Sequence, residues 1–191
     1  MNRPTEPIRP ASYQDVLDAP EGMVAELIGG ALHLHPRPAS PHGRATSGLG
    51  AELWMAFDRG RTGPGGWWIL DEPEIHFSEG DVFVPDLAGW RRETMPRFEV
   101  AAHHRIVPDW ACEVLSPRTR GYDVTEKRAV YGRRGVRHLW FVDPDARTLE
   151  GFAFEAGSWR LVGAAHGDAE VRMAPFEAIA IPLATLWVPD A

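Results

Sequence analysis

Three carboxylates in this chain of 191 residues sit where carboxylates are costly. Asp86 lies in Val82-Phe83-Val84-Pro85-Asp86-Leu87-Ala88, and Glu113 in Trp110-Ala111-Cys112-Glu113-Val114-Leu115. Glu26, in Val24-Ala25-Glu26-Leu27-Ile28, is the third. An ionised carboxylate in apolar surroundings is destabilising unless it is paired or binds a metal. Brought together, three such groups repel one another and raise their own pKa values. A divalent cation removes that penalty, and oxygen ligands suit Mg2+ or Mn2+. The plainer readings are that Asp86 caps a turn after Pro85 and that Glu26 faces solvent at a strand edge.

Lys127 is the only lysine; the other basic residues are all arginine. Asp123 stands four residues before it, on the same helical face. A compact ammonium near a metal and water can hold or deprotonate the attacking water, or steady a phosphate in transition. The expected catalytic set is therefore Asp86, Glu113, Lys127 and Glu26, with the three carboxylates as metal ligands. His42, Arg118, Arg120 and Arg128 are the expected substrate contacts, with a solvated helix face as the alternative for the arginines and a capping role for His42.

The elements that must position these residues follow from periodicity and turn residues. Ser12 caps a short helix over 13–17. Residues 23–28 and 31–35 form a hairpin around Gly29-Gly30, and a Pro-rich loop runs from Pro36 to Pro41. Apolar spacing predicts a helix over 42–57. Strands follow at 67–70, 74–77, 82–90 and 106–115, with 91–105 a connector of undefined structure. A basic helix spans 119–134 and stops at Gly135. Residues 136–142 form a strand, 148–154 and 159–162 a hairpin, and 179–187 a closing segment. The chain reads as mixed α and β: a central mixed sheet flanked by helices, with extra hairpins, in one domain over 1–191 preceded by a loose arm at 1–11.

In this order the motifs resemble a known group. Pro85-Asp86 followed by Glu113-Val114-Leu115 resembles the PD-(D/E)XK pattern of restriction-endonuclease-like nucleases. More closely, the chain resembles the Uma-type family of predicted endonucleases. The stretches that carry this are Ala25 to Leu32, Ser40-Pro41-His42, Val84 to Ala88, Pro108 to Pro117, Asp123 to Arg128 and Val142-Asp143-Pro144. The resemblance implies a restriction-endonuclease-like core, divalent-metal binding, and hydrolysis of phosphodiester bonds; the expected partner is nucleic acid, DNA more than RNA. It carries onto Glu26, Asp86, Glu113 and Lys127. One departure stands out: the superfamily lysine falls two residues after the glutamate, where this chain has Leu115, so the lysine role shifts to Lys127 on the next helix.

Composition bounds the rest. The net charge is −7, which argues against tight nonspecific duplex binding. Local basic patches from Arg118 to Arg137 and from Arg91 to Arg105 supply the phosphate contacts instead. Cys112 is the only cysteine, which excludes an intrachain disulfide and a cysteine-rich zinc site. No apolar run is long enough to span a membrane, and the N-terminus lacks a signal-peptide pattern; the expectation is a cytoplasmic protein. Ser116 has no histidine base placed for nucleophilic catalysis. His33 and His35 alternate on one strand face, as a metal pair would, but read better as half-exposed strand residues, and His103 and His104 sit in the connector without a matching ligand set. A homodimer is expected from the need to cover sheet edges. The competing functions are a catalytically silent binding module on the same fold and a metal hydrolase of small phosphate esters.

Overall fold

Residues 9–37 and 39–189 are described in a computed structural model of the chain. Most of the arm expected at 1–11, and residue 38 of the Pro-rich loop, lie outside them. At the near end of that arm, the Ala11 N–H donates to the Gly30 carbonyl at 2.7 Å. Helix α1 (Tyr13–Leu17) then starts where Asp15 accepts the backbone N–H of Ser12 at 2.7 Å.

The chain builds two main sheets that meet at the functional residues. Strands β1 (Met23–Ile28) and β2 (Ala31–Pro36) form the expected hairpin. Its turn residues Gly29 and Gly30 both have positive φ, as a tight two-residue hairpin turn demands. Helix α2 (Ser40–Leu53) begins slightly earlier than its apolar spacing suggests, because Pro41 is well suited to a first helical turn. It continues through a π-helical segment, Trp54–Asp58. Next come β3 (Trp67–Asp71), β4 (Ile75–His76), β5 (Val82–Phe83), β6 (Leu87–Arg91) and β7 (Trp110–Val114). The basic helix is α3 (Arg120–Tyr122), a π-helical segment Asp123–Lys127, and α4 (Arg128–Arg134), closed by Gly135 at φ 96°. Strands β8 (His138–Asp143), β9 (Thr148–Glu155), β10 (Ser158–His166), β11 (Glu170–Val171) and β12 (Ile181–Pro182) complete the chain.

The larger sheet has the order β10-β9-β8-β7-β6-β3 and the smaller one β2-β1-β5-β4. The larger sheet is mixed: β7 and β8 run parallel, and its other pairs are antiparallel. A parallel pair needs a long crossover, and here the crossover is the basic helix, which lies over one face of the sheet. Side chains alternate across β7. Trp110, Cys112 and Val114 face α2 and the C-terminal segment, in a core with Leu49, Trp140 and Phe176. Ala111 and Leu115 face the crossover, in a core with Val130, Tyr131 and Phe141. Glu113 belongs to this second face by alternation.

One expected element is split. The single strand read over 82–90 is two strands in different sheets, β5 in the smaller and β6 in the larger. Pro85 has no N–H for a ladder, so the strand leaves one sheet there and joins the other. The strand expected at 106–115 likewise shortens to β7, beginning after Pro108. No helix among the described residues is long and apolar enough to cross a membrane.

Candidate active site

The break at Pro85 leaves backbone amides without ladder partners, and buried amides must be satisfied. Carboxylates satisfy two amides at this junction. The Val84 N–H donates to Glu26 Oε1 at 2.8 Å, and the Val114 N–H donates to Asp86 Oδ2 at 2.7 Å. Glu26 therefore ties β1 to the end of β5, and Asp86 ties the start of β6 to the end of β7. These contacts bring the acidic residues of three separate segments to one cleft, which also contains Lys127, Asp123 and His42.

Lys127 sits at the centre of the charge. Its Nζ lies 2.7 Å from Glu113 Oε1, 2.9 Å from Glu26 Oε1 and 4.0 Å from Asp123 Oδ1. All four side chains are buried. The π-helical segment bears both Asp123 and Lys127, and such irregular turns are frequent at functional sites. One turn further, the Tyr131 hydroxyl donates to Glu113 Oε1 at 2.5 Å. Tyr131 was not singled out in the sequence, although its i+4 spacing from Lys127 puts it on the same helix face.

The electrostatics follow from burial. Burial opposes the charge on Lys127, but Glu113, Glu26 and Asp123 outweigh it and hold the ammonium well above the usual lysine range. Lys127 is thus held as a charged group beside these carboxylates. Burial pushes the Glu113 carboxyl well up, only partly offset by Lys127. Asp123 is pushed up to about 6, again chiefly by burial. At the cleft, His42 Nε2 lies 3.1 Å from Asp86 Oδ1. Burial works against protonating His42, and the hydrogen bond and charge of Asp86 overcome it, so its pKa is raised. His35 is the reverse case: burial lowers its pKa, and its Nε2 stands 3.8 Å from Glu26 Oε2 without a hydrogen-bond partner.

The structure brings Glu26, Asp86, Glu113, Lys127 and His42 together, and with them Asp123 and His35, to which the sequence assigned no catalytic part. Glu26 is buried rather than facing solvent, and Asp86 does more than cap a turn. The arginines expected to contact substrate do not line the cleft. Arg120 pairs with Asp143, the Arg128 guanidinium lies 4.2 Å over the Phe152 ring, and Arg118 is exposed.

A divalent cation suits this donor set. Three carboxylates face one lysine, Asp86 adds a fourth negative charge at the cleft, and the surplus helps to raise Glu113 and Asp123. The orphaned Nε2 of His35 points the same way. Glu26 and Glu113 each give Oε1 to Lys127, so their Oε2 atoms and Asp86 Oδ1 are the oxygens turned to other partners. These carboxylates do not form a ready three-donor cage like the one found elsewhere among the described residues.

Comparison with known proteins agrees with the architecture. The sequence pattern of the Uma2 family, described as "Putative restriction endonuclease", matches residues 10–184. No curated protein matches the chain. Among solved structures, the fold is similar to that of "a putative nuclease belonging to DUF820" from Anabaena variabilis ATCC 29413. That match has a TM-score of 0.73 at 23% sequence identity and covers 93% of this chain and 97% of the other.

Proposed function

The chain belongs to the Uma2 family, and on that premise we propose that it is a metal-dependent endonuclease that hydrolyses phosphodiester bonds, acting on DNA in preference to RNA. The observation that carries this reading is the buried Glu26–Lys127–Glu113 cluster sharing one cleft with the Asp86–His42 pair. A stability device alone has no need of three buried carboxylates around one lysine with Asp86 close by, since such charges cost more to bury than apolar residues of the same size. The family's description as restriction endonucleases supports DNA as the substrate.

Asp86 and Glu113, assisted by Glu26, would hold Mg2+ or Mn2+. The cation would supply an activated water and neutralise charge developing on the phosphoryl group. The protein's own groups do the remaining work. Lys127 keeps a fixed positive charge at the cleft floor and holds Glu26 and Glu113 in register. Tyr131 steadies the Glu113 oxygen from the crossover helix. His42, oriented by Asp86, presents a proton to a phosphate oxygen. Arg118, exposed at the start of the basic helix, remains the arginine placed to meet the backbone of a longer substrate. The chain is read as one domain performing this reaction.

The test is cleavage of supercoiled DNA, single-stranded DNA and RNA with Mg2+ or Mn2+, alongside calorimetric Mn2+ titration. Asp86→Asn and Glu113→Gln should each remove turnover and weaken Mn2+ binding. Turnover and Mn2+ binding that survive both substitutions would sink the proposal.

One observation favours a second reading, a catalytically silent nucleic-acid-binding module. Lys127 already satisfies Glu26 and Glu113 without any cation. Binding of oligonucleotides without cleavage under every metal condition would select it.

A further inference from the structure

Away from the cleft, the connector that the sequence left undefined comes back against β4. The His76 N–H donates to the His104 carbonyl at 2.8 Å, and the His104 N–H donates to the Glu74 carbonyl at 2.8 Å. This clamp pins residues 103–104 beside residues 74–76. The imidazoles of His76 and His103 stack with centroids 3.8 Å apart and planes 11° apart. His76 Nε2 lies 2.7 Å from Glu74 Oε1, and the Tyr13 hydroxyl donates to that same oxygen at 2.7 Å. One donor atom from each of Glu74, His76 and His103 falls within 4.8 Å of the others. None of the three lines the cleft.

We propose that Glu74, His76 and His103 form a second metal site, selective for a zinc-class transition-metal ion. Two imidazoles and one carboxylate are the donors that such ions favour, whereas the oxygen-rich cleft suits Mg2+ or Mn2+. Stacked imidazoles make a poor pair of cations, so a shared metal is a better use of their proximity than protonation. Bonds of about 2.0–2.1 Å to a tetrahedral Zn2+ put the donors roughly 3.3 Å apart, and the two rings must tilt out of their parallel stack so that both planes pass through the ion. The cation takes the place of the proton between His76 and Glu74, that proton moving to Nδ1 or to solvent. Tyr13 supplies the outer hydrogen bond that orients a ligating carboxylate. A cavity lined by Tyr13, His76 and Arg105 gives the ion a path from solvent. The fourth position is left to water. The site adds a further tie between α1, through Tyr13, and the β4–connector pair.

The test is titration of the whole chain with ZnCl2 by calorimetry, with CoCl2 as an optical probe of tetrahedral coordination. The expected result is one Zn2+ per chain, bound at least about 10-fold more weakly after His76→Gln or His103→Gln. Tyr13→Phe, which keeps all three ligands, should weaken binding by about 10-fold. Asp86→Asn and Glu113→Gln should leave the Zn2+ affinity unchanged, which separates this site from the cleft. In the wild-type protein, ZnCl2 should shift the imidazole NMR signals of His76 and His103, a reading that needs no variant to fold. The proposal is overturned if wild type binds no Zn2+, if one-equivalent binding persists in both histidine variants, or if it is lost in Asp86→Asn instead.

Discussion

The two faces of β7 are built from the same strand and do opposite things. On the α2 side, Trp110 and Cys112 enter an aromatic core in which Trp110 meets Trp140 edge-on at 5.4 Å and Phe176 at 5.0 Å. On the crossover side, Ala111 and Leu115 flank Glu113, which is held by Lys127 and Tyr131. The first face is stabilised by area and shape and has no electrical requirement. The second face has the same depth of burial, yet its centre depends on charges that balance only as a set. The difference teaches where the charge was installed: at one position of an otherwise apolar strand, on the face covered by the helix that returns the chain to a parallel partner.

The sharpest way to break that comparison is to remove one member from each face. Trp140→Ala should cost about 3–5 kcal/mol through the cavity it leaves. Lys127→Met should cost a similar 3–5 kcal/mol, because Glu26 and Glu113 are then buried without a counter-charge. Urea unfolding measures both. The two losses differ in how they are repaired: adding Glu113→Gln to Lys127→Met should restore at least about 1 kcal/mol, and adding it to Trp140→Ala should do nothing comparable. Equal behaviour of the two double variants would erase the distinction between the faces.

Acidity gives the next largest effect. The Asp123 carboxyl is raised from 3.8 to about 6 in the folded protein, so the folded state holds its proton more tightly than the unfolded one. Its contribution is fully present below about pH 4 and is lost as pH rises through 6, a change of about 3 kcal/mol. Asp123→Asn should flatten that part of the stability profile between pH 4 and 6, measured by thermal or urea unfolding at each pH. A slope that stays the same in the variant would move the effect to another group.

The smallest expected effect sharpens the role of the crossover helix. Tyr131→Phe removes a single hydrogen bond to Glu113 and should cost about 1–2 kcal/mol. If the hydroxyl also positions Glu113 for catalysis, turnover should fall while Mn2+ affinity changes little. A variant with wild-type stability and wild-type turnover would make Tyr131 a bystander.

Much of the fold could be read along the chain. The β1–β2 hairpin, the body of α2, the basic helix ending at Gly135 and the β9–β10 hairpin all follow from turn residues and apolar spacing, which act over a few neighbouring positions. Asp86 and Glu113 stood out because a charge inside an apolar run violates the local pattern. Lys127 stood out by composition. Tyr131 carried no such mark, since a tyrosine in an amphipathic helix breaks no rule, and the alternation of His33 and His35 was a weak one, since half-exposed strand histidines show it as well. The residues 82–90 misled because apolar content hides a change of sheet; Pro85 was the visible cue.

The amino-acid sequence by itself determined which segments fold as helix or strand and which carboxylates would have to find partners. Periodicity and burial cost are properties of short stretches, so they are legible without a partner in view. Tertiary structure alone decided what those partners are. Glu26 meets Lys127 across 101 positions of chain only because β1 pairs with β5 and the crossover helix covers β7. His103 meets Glu74 and His76 only because backbone hydrogen bonds fold the connector onto β4. Contacts between distant residues depend on which strands pair, and outside a hairpin the local pattern does not name the partner strand.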